Sequence, residues 1–270
     1  MDSLSHIPLP ARNKKTSARS IFLLTRGMPS TIQGPMSDLF MVRHGQASFG
    51  SANYDVLSEN GIAQARICGE YLAEIGLRFD ALYAWKMERQ VETAREIVAA
   101  FRRCGVKMPD LRLHPALSEY GTTSVLVSYV PEVVKEDPSL QSHVERLYTD
   151  KRSFQKVFEA VIVRWVEGRH PMPGVEPWEV FSSRVREGIH EIMAAEGRGK
   201  KLLLVTSGGP IGAVLEYALS LTPETAIRLS WQIANTSVTR FMYNDDRITL
   251  AGFNSLAHLE MKDRGLITYR

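Results

Sequence analysis

Four consecutive apolar residues, Leu39-Phe40-Met41-Val42, run directly into Arg43-His44-Gly45. An unbroken apolar run bounded by a turn signal reads as a buried strand, and Gly45 allows the backbone to turn sharply at its end. In open α/β sheets ligands collect outside the carboxyl ends of the strands, so Arg43 and His44 stand where chemistry is done. Arg-His-Gly alone is a short string found in unrelated chains. Four further segments decide the matter.

They follow in a set order. Leu57-Ser58-Glu59-Asn60-Gly61 reads as an N-terminal cap leading into an amphipathic helix to about Leu77. Arg89 comes after the apolar stretch Ala81–Ala84, and Glu92-Thr93-Ala94 continues into a second helix. Leu117-Ser118-Glu119-Tyr120 closes another apolar stretch. Leu202–Val205 followed by Thr206-Ser207-Gly208-Gly209-Pro210 reads as strand, glycine turn and helix start.

From about Ser37 to Phe253 this order resembles the histidine phosphatase superfamily, the phosphoglycerate-mutase-like proteins. Gly174-Val175-Glu176-Pro177-Trp178 with Arg184 is similar to that family's Gly-x-Glu-x-Trp segment before a long helix. The resemblance implies a three-layer α/β/α fold with a mostly parallel mixed sheet. It also implies a nucleophile at His44, phosphate clamps at Arg43 and Arg89, and an acid at Glu119. Gln46 and Ser48, beside the nucleophile, and Ser207 and Gly208, on the late turn, are candidates for touching the substrate.

The chemistry of these residue types agrees. A phosphate monoester carries about two negative charges, and the planar fork of Arg matches its oxygens in pairs. A neutral imidazole can attack phosphorus in line and form a phosphohistidine, dividing one displacement into two. A carboxylic acid kept protonated can supply the proton that the leaving alkoxide needs. No metal and no cofactor is implied, and the expected partner is a small phosphorylated substrate.

Three departures from the family pattern bear on activity. The late strand of the family usually ends in a second histidine, where this chain has Ser207. A hydroxyl donates a hydrogen bond but carries no charge, which could slow phosphoryl transfer roughly ten- to a hundredfold. Trp85-Lys86 replaces the usual Ser-Pro, and Glu92 the usual Gln, which points to an altered pocket. The Trp-Asn pair and Phe-x-Gly-Trp string of the mutases are absent from Gln46–Tyr54, so hydrolysis is expected rather than transfer within a sugar acid. The competing reading is a phosphate-binding or protein-interacting relative that has lost turnover.

Charge narrows the partners. The chain of 270 residues has net charge +3, but residues 1–35 hold five Lys or Arg against one acid, leaving the remainder at −1. No basic stripe is left to suit nucleic acid or a membrane surface. The expectation for residues 1–35 is a disordered leader or a mis-called start, and residues 36–270 read as one domain. Cys68 and Cys104 have neither disulfide-framework nor metal spacing, which suits a reducing cytoplasm. Between about 121 and 173 strand signals vanish and apolar residues recur at helical spacing, from Val144 to Trp165. That segment reads as an inserted helical cap, with His143 and His170 on its surface. Asn235–Tyr243 and Arg247–Phe253 read as a closing hairpin.

Overall fold

The parallel core of the chain forms because its central strands are apolar on both sides. In this computed structural model, which describes residues 36–48, 55–245 and 247–269, six strands form one sheet. They are β1 (Ser37–Arg43), β2 (Ala81–Ala84), β3 (Leu111–Leu113), β4 (Lys201–Thr206), β5 (Val238–Tyr243) and β6 (Ile248–Ser255). Their order is β3-β2-β4-β1-β5-β6, with β1 to β4 mutually parallel, β5 antiparallel to β1 and β6 antiparallel to β5. The described residues belong to one compact unit, and the leader expected at residues 1–35 lies outside them.

Alternation along each strand divides the interior in two. Leu39, Met41, Ala81, Tyr83, Leu202 and Leu204 face one core; Phe40, Val42, Leu82, Ala84, Leu203 and Val205 face the other. Helices α1 (Glu59–Glu74) and α2 (Glu88–Arg103) cover the second core. The first is covered by α3 (Thr122–Glu136), α5 (Lys151–Glu167), α6 (Trp178–Glu196), α7 (Gly208–Leu219) and α8 (Pro223–Ser230). A short α4 (Gln141–Val144) joins α3 to α5, and α9 (Ala257–Lys262) packs on α1. Among the described residues no helix is long and apolar enough to cross a membrane.

Segment 121–173 is helical, and Val157, Val161 and Trp165 of its apolar stripe are buried. Three expected details differ. Helix α1 stops at Glu74, because Gly76 takes a left-handed φ of +81° that breaks the helix before Leu77. Residues 235–237 precede β5 rather than joining it: Thr236 has φ +57°, and its N–H turns back to the carbonyl of Arg43. His143 is half-buried, with Nδ1 2.9 Å from Ser153 Oγ, whereas His170 is exposed.

The start of α1 is pressed against the turn after β1. Ser58 caps the helix by accepting from Gly61 N at 3.1 Å, and a Cβ on Gly61 would lie 2.2 Å from the carbonyl oxygen of Gln46. Gly45 is similarly confined: a Cβ there would lie 2.5 Å from the carbonyl oxygen of Gly61. Gly61→Ala is therefore expected to cost about 1–3 kcal/mol, whereas Gly252→Ala, with open space around it, stays within about 0.5 kcal/mol of the parent. Denaturant midpoints of the two variants check this.

His258 on α9 is buried, with Nε2 3.1 Å from Thr236 Oγ1 and its ring against Tyr71. Burial pushes its pKa from 6.5 down to about 4. The folded value lies below the unfolded one, so the unfolded chain takes the proton first as pH falls. The stabilisation is whole above pH 6.5 and about 3 kcal/mol of it is lost by pH 4. His258→Gln is expected to shrink the drop in unfolding free energy between pH 7 and pH 4.5; a drop as large as the parent's would contradict this.

Candidate active site

Register brings the two central turns together. Arg43 pairs with Thr206 across β1 and β4, so His44 and Ser207 leave adjacent strand ends, and His44 N donates to Thr206 O at 2.8 Å. The chain after β1 goes to α1 on one face, and the chain after β4 goes to α7 on the other. That divergence opens the crevice in which α/β sheets bind ligands.

His44 is 6% exposed. Its Nδ1 lies 2.8 Å from the carbonyl oxygen of Gly45, which only accepts, so Nδ1 carries the hydrogen and Nε2 a lone pair. Arg89 Nε donates to that Nε2 at 3.0 Å. Burial first, then the charges of Arg89 and Arg43, hold the His44 pKa well below 6.5, against the opposing bond to Gly45. The ring is thus neutral at pH 7, with the unprotonated nitrogen toward the arginine.

Helix α2 places Arg89 in its first turn, where the cap residue Met87 makes no side-chain capping bond. Asp55 substitutes for it. One carboxylate oxygen accepts from Glu88 N at 2.7 Å and the other from Arg89 Nη1, so a buried guanidinium and a helix N-terminus share one anion. Arg43 Nη1 donates to the carbonyl oxygens of Ile233 and, at 2.7 Å, of Tyr269. Residues near the C-terminus also brace the loop behind His44. Thr268 Oγ1 donates to Asn235 Oδ1 at 2.9 Å and accepts from Gln64 Nε2 at 2.8 Å, while Asn235 Nδ2 donates to the carbonyl of His44 at 3.0 Å.

Glu119 lies across the crevice. Its two oxygens accept from Tyr120 N and Gly209 N, each at 3.1 Å. Burial raises its pKa above 4.5, against the pull of those amides and of Arg89 and Arg43. The fit is close: a Cβ on Gly209 would come within 1.9 Å of the Glu119 Oε1, so only glycine leaves room for this carboxyl. Ser207 caps α7 and is buried, and its Oγ accepts from Gln90 Nε2 at 2.9 Å; Gly208 opens the helix beside it.

The other expected residues are placed as follows. Gln46 turns its side-chain oxygen to Ser58 Oγ at 3.0 Å, and its N–H donates to Gln64 Oε1 at 2.8 Å, tying the turn to α1. Ser48 is half-buried, with its N–H on Val56 O at 2.9 Å. Glu92, the departure on α2, accepts from Leu57 N at 2.9 Å and so anchors the approach to α1. Glu176 and Arg184 form a two-pronged pair at 2.9 and 3.0 Å. Asp55, Gln90 and Thr268 were not foreseen. An Asp shortly before a helix cap is a weak signal, and nothing local marks the other two.

Three comparisons relate the chain to known proteins. Residues 39–256 match the profile of the histidine phosphatase superfamily (branch 1). The 2,3-bisphosphoglycerate-dependent phosphoglycerate mutase of Brucella anthropi is 26% identical over 208 residues, covering 74% of this chain and 88% of the relative. Phosphoglycerate mutase from Bacillus anthracis superimposes with a TM-score of 0.59 at 22% identity, covering 84% of this chain and 97% of that one. A phosphoserine phosphatase variant of Entamoeba histolytica, crystallised with phosphoserine, gives 0.58 at 18% identity, covering 83% and 100%. Mycobacterial glucosyl-3-phosphoglycerate phosphatase gives 0.57 at 19% identity, covering 82% and 99%. The structural likenesses bear on the fold, a six-stranded mixed sheet between helices. With the profile match over most of its length, the chain belongs to the histidine phosphatase superfamily (branch 1).

Proposed function

We propose that this chain hydrolyses small phosphate monoesters through a phosphohistidine on Nε2 of His44, without a metal. The observation that carries the reading is the state of the imidazole: neutral, with Nδ1–H tied to Gly45 O and the lone pair of Nε2 facing Arg89. An incoming phosphoryl group replaces Nε2 as the acceptor of Arg89, and Nε2 attacks phosphorus in line. The phosphorus–oxygen bond of the ester breaks and Glu119 gives its proton to the leaving alkoxide. Water then attacks the phosphohistidine, Glu119 takes its proton, and phosphate and the neutral imidazole are restored.

Arg43 supplies positive charge close to His44, and the amide of Gly208 at the start of α7 is offered to the developing anion, that of Gly209 being held by Glu119. Ser207 contributes a neutral hydrogen bond where the family's second histidine stands. Gln46 and Ser48 border the nucleophile, Gln46 chiefly as the brace to Ser58. Helices α3 to α5 act as a cap that selects the alcohol carried by the phosphate. Phe158 of α5 rests on Trp231, two residues before the Ile233 carbonyl that holds Arg43. Hydrolysis is favoured over mutase chemistry by the missing Trp-Asn and Phe-x-Gly-Trp strings, although curated relatives at 26% identity are mutases.

The test is hydrolysis of p-nitrophenyl phosphate and of an alkyl phosphate by the full chain in chelator. His44→Ala is expected to abolish turnover. Glu119→Gln should slow the alkyl ester about 10²–10⁴-fold and the nitrophenyl ester, whose leaving group needs no proton, much less. Because Glu119 acts protonated, kcat/KM should fall as pH rises through its elevated pKa, a limb that Glu119→Gln removes. Turnover no greater than that of His44→Ala would sink the proposal in favour of a phosphate-binding relative.

A further inference from the structure

Gln90 sits one residue after Arg89 in the first turn of α2 and is fully buried. Two backbone partners fix which way its amide faces. Trp85 N–H can only donate, and it meets Oε1 at 3.1 Å; Leu117 O can only accept, and it meets Nε2 at 3.0 Å. The second hydrogen on Nε2 therefore goes to Ser207 Oγ at 2.9 Å, with Met87 Sδ a weak further neighbour at 3.6 Å.

That bond has a directional consequence. A serine oxygen that accepts still has one hydrogen to give, and Ser207 makes no capping bond within α7. Its hydroxyl stands at the strand end next to that of His44, because Arg43 and Thr206 are paired one residue earlier. Gln90 holds one of the two lone pairs of Ser207 Oγ and so fixes the oxygen in place, leaving its hydrogen to be given to an anion in the crevice.

We propose that Gln90 is a positioning residue: by donating to Ser207 Oγ it holds that hydroxyl in place to donate its hydrogen to the phosphoryl group beside His44, so the two side chains act as one unit. The proposal rests on the reading of His44 as the phosphoryl acceptor. Gln90 does not touch the substrate; it holds in place the group that does.

A four-protein cycle tests this: the parent, Gln90→Met, Ser207→Ala and the double variant, assayed on p-nitrophenyl phosphate. Each single change should lower kcat roughly ten- to a hundredfold, with a smaller effect on KM, and the double variant should be no slower than Ser207→Ala. Losses that multiply in the double variant would overturn the unit. If the parent has no turnover, the phosphatase reading fails separately, and the cycle is read in affinity for inorganic phosphate. Non-multiplying losses there sustain the unit and multiplying losses overturn it. Should Gln90→Met not fold, the side-chain amide signals of Gln90 are followed by NMR as phosphate is added. A shift in the parent that is lost in Ser207→Ala supports the unit; an unchanged shift, or none, overturns it.

Discussion

The parallel pairing of β1 with β4 is the constraint on which the site depends. It is held by two strands whose side chains are apolar on both faces, so each residue is assigned to one of two cores. A slip of one residue would carry Leu39 and Met41 into the core built for Phe40 and Val42. It would also part His44 from Ser207. The polar turns are therefore aligned by hydrophobic burial rather than by their own hydrogen bonds, and the chemistry inherits its geometry from the core.

On that frame, burial and charge set the protonation states. Arg89 lies against the imidazole, where its charge disfavours protonation of His44, and Asp55 offsets that charge so that the guanidinium can be buried. The same burial that disfavours charge on His44 disfavours it on Glu119, holding the His44 pKa well below 6.5 and raising that of Glu119 above 4.5. Glycines fix the spacing: Gly45 and Gly61 let α1 close on the first turn, and Gly209 admits the carboxyl. The neutral Ser207 is compatible with this arrangement because Gln90 already satisfies its oxygen.

What could be read from the sequence was local. An apolar run followed by Arg-His-Gly, a Ser cap before Gly61, and a strand leading into Gly208-Gly209 each carry their structure within a few residues, and the elements form where they were expected. What could not be read depends on chain distance. Asp55 meets Arg89 across 34 residues, Gln90 meets Ser207 across 117, and Thr268 meets Gln64 across 204. Such partners leave no periodicity and no composition to detect. The small errors share a cause: the early stop of α1 at Gly76 and the irregular backbone at Thr236 come from positive φ values, one at a glycine with several possible roles and one at a residue that seldom adopts them.

The central claim is that His44 is a neutral imidazole with its proton on Nδ1 and a nucleophilic Nε2. Nitrogen-15 NMR of the histidine rings, with His44 assigned by comparison with His44→Asn, reads this directly. The account predicts a protonated Nδ1 and a bare Nε2 from pH 7.5 down past pH 6. A His44 ring protonated on Nε2, or doubly protonated at pH 6.5, would contradict it.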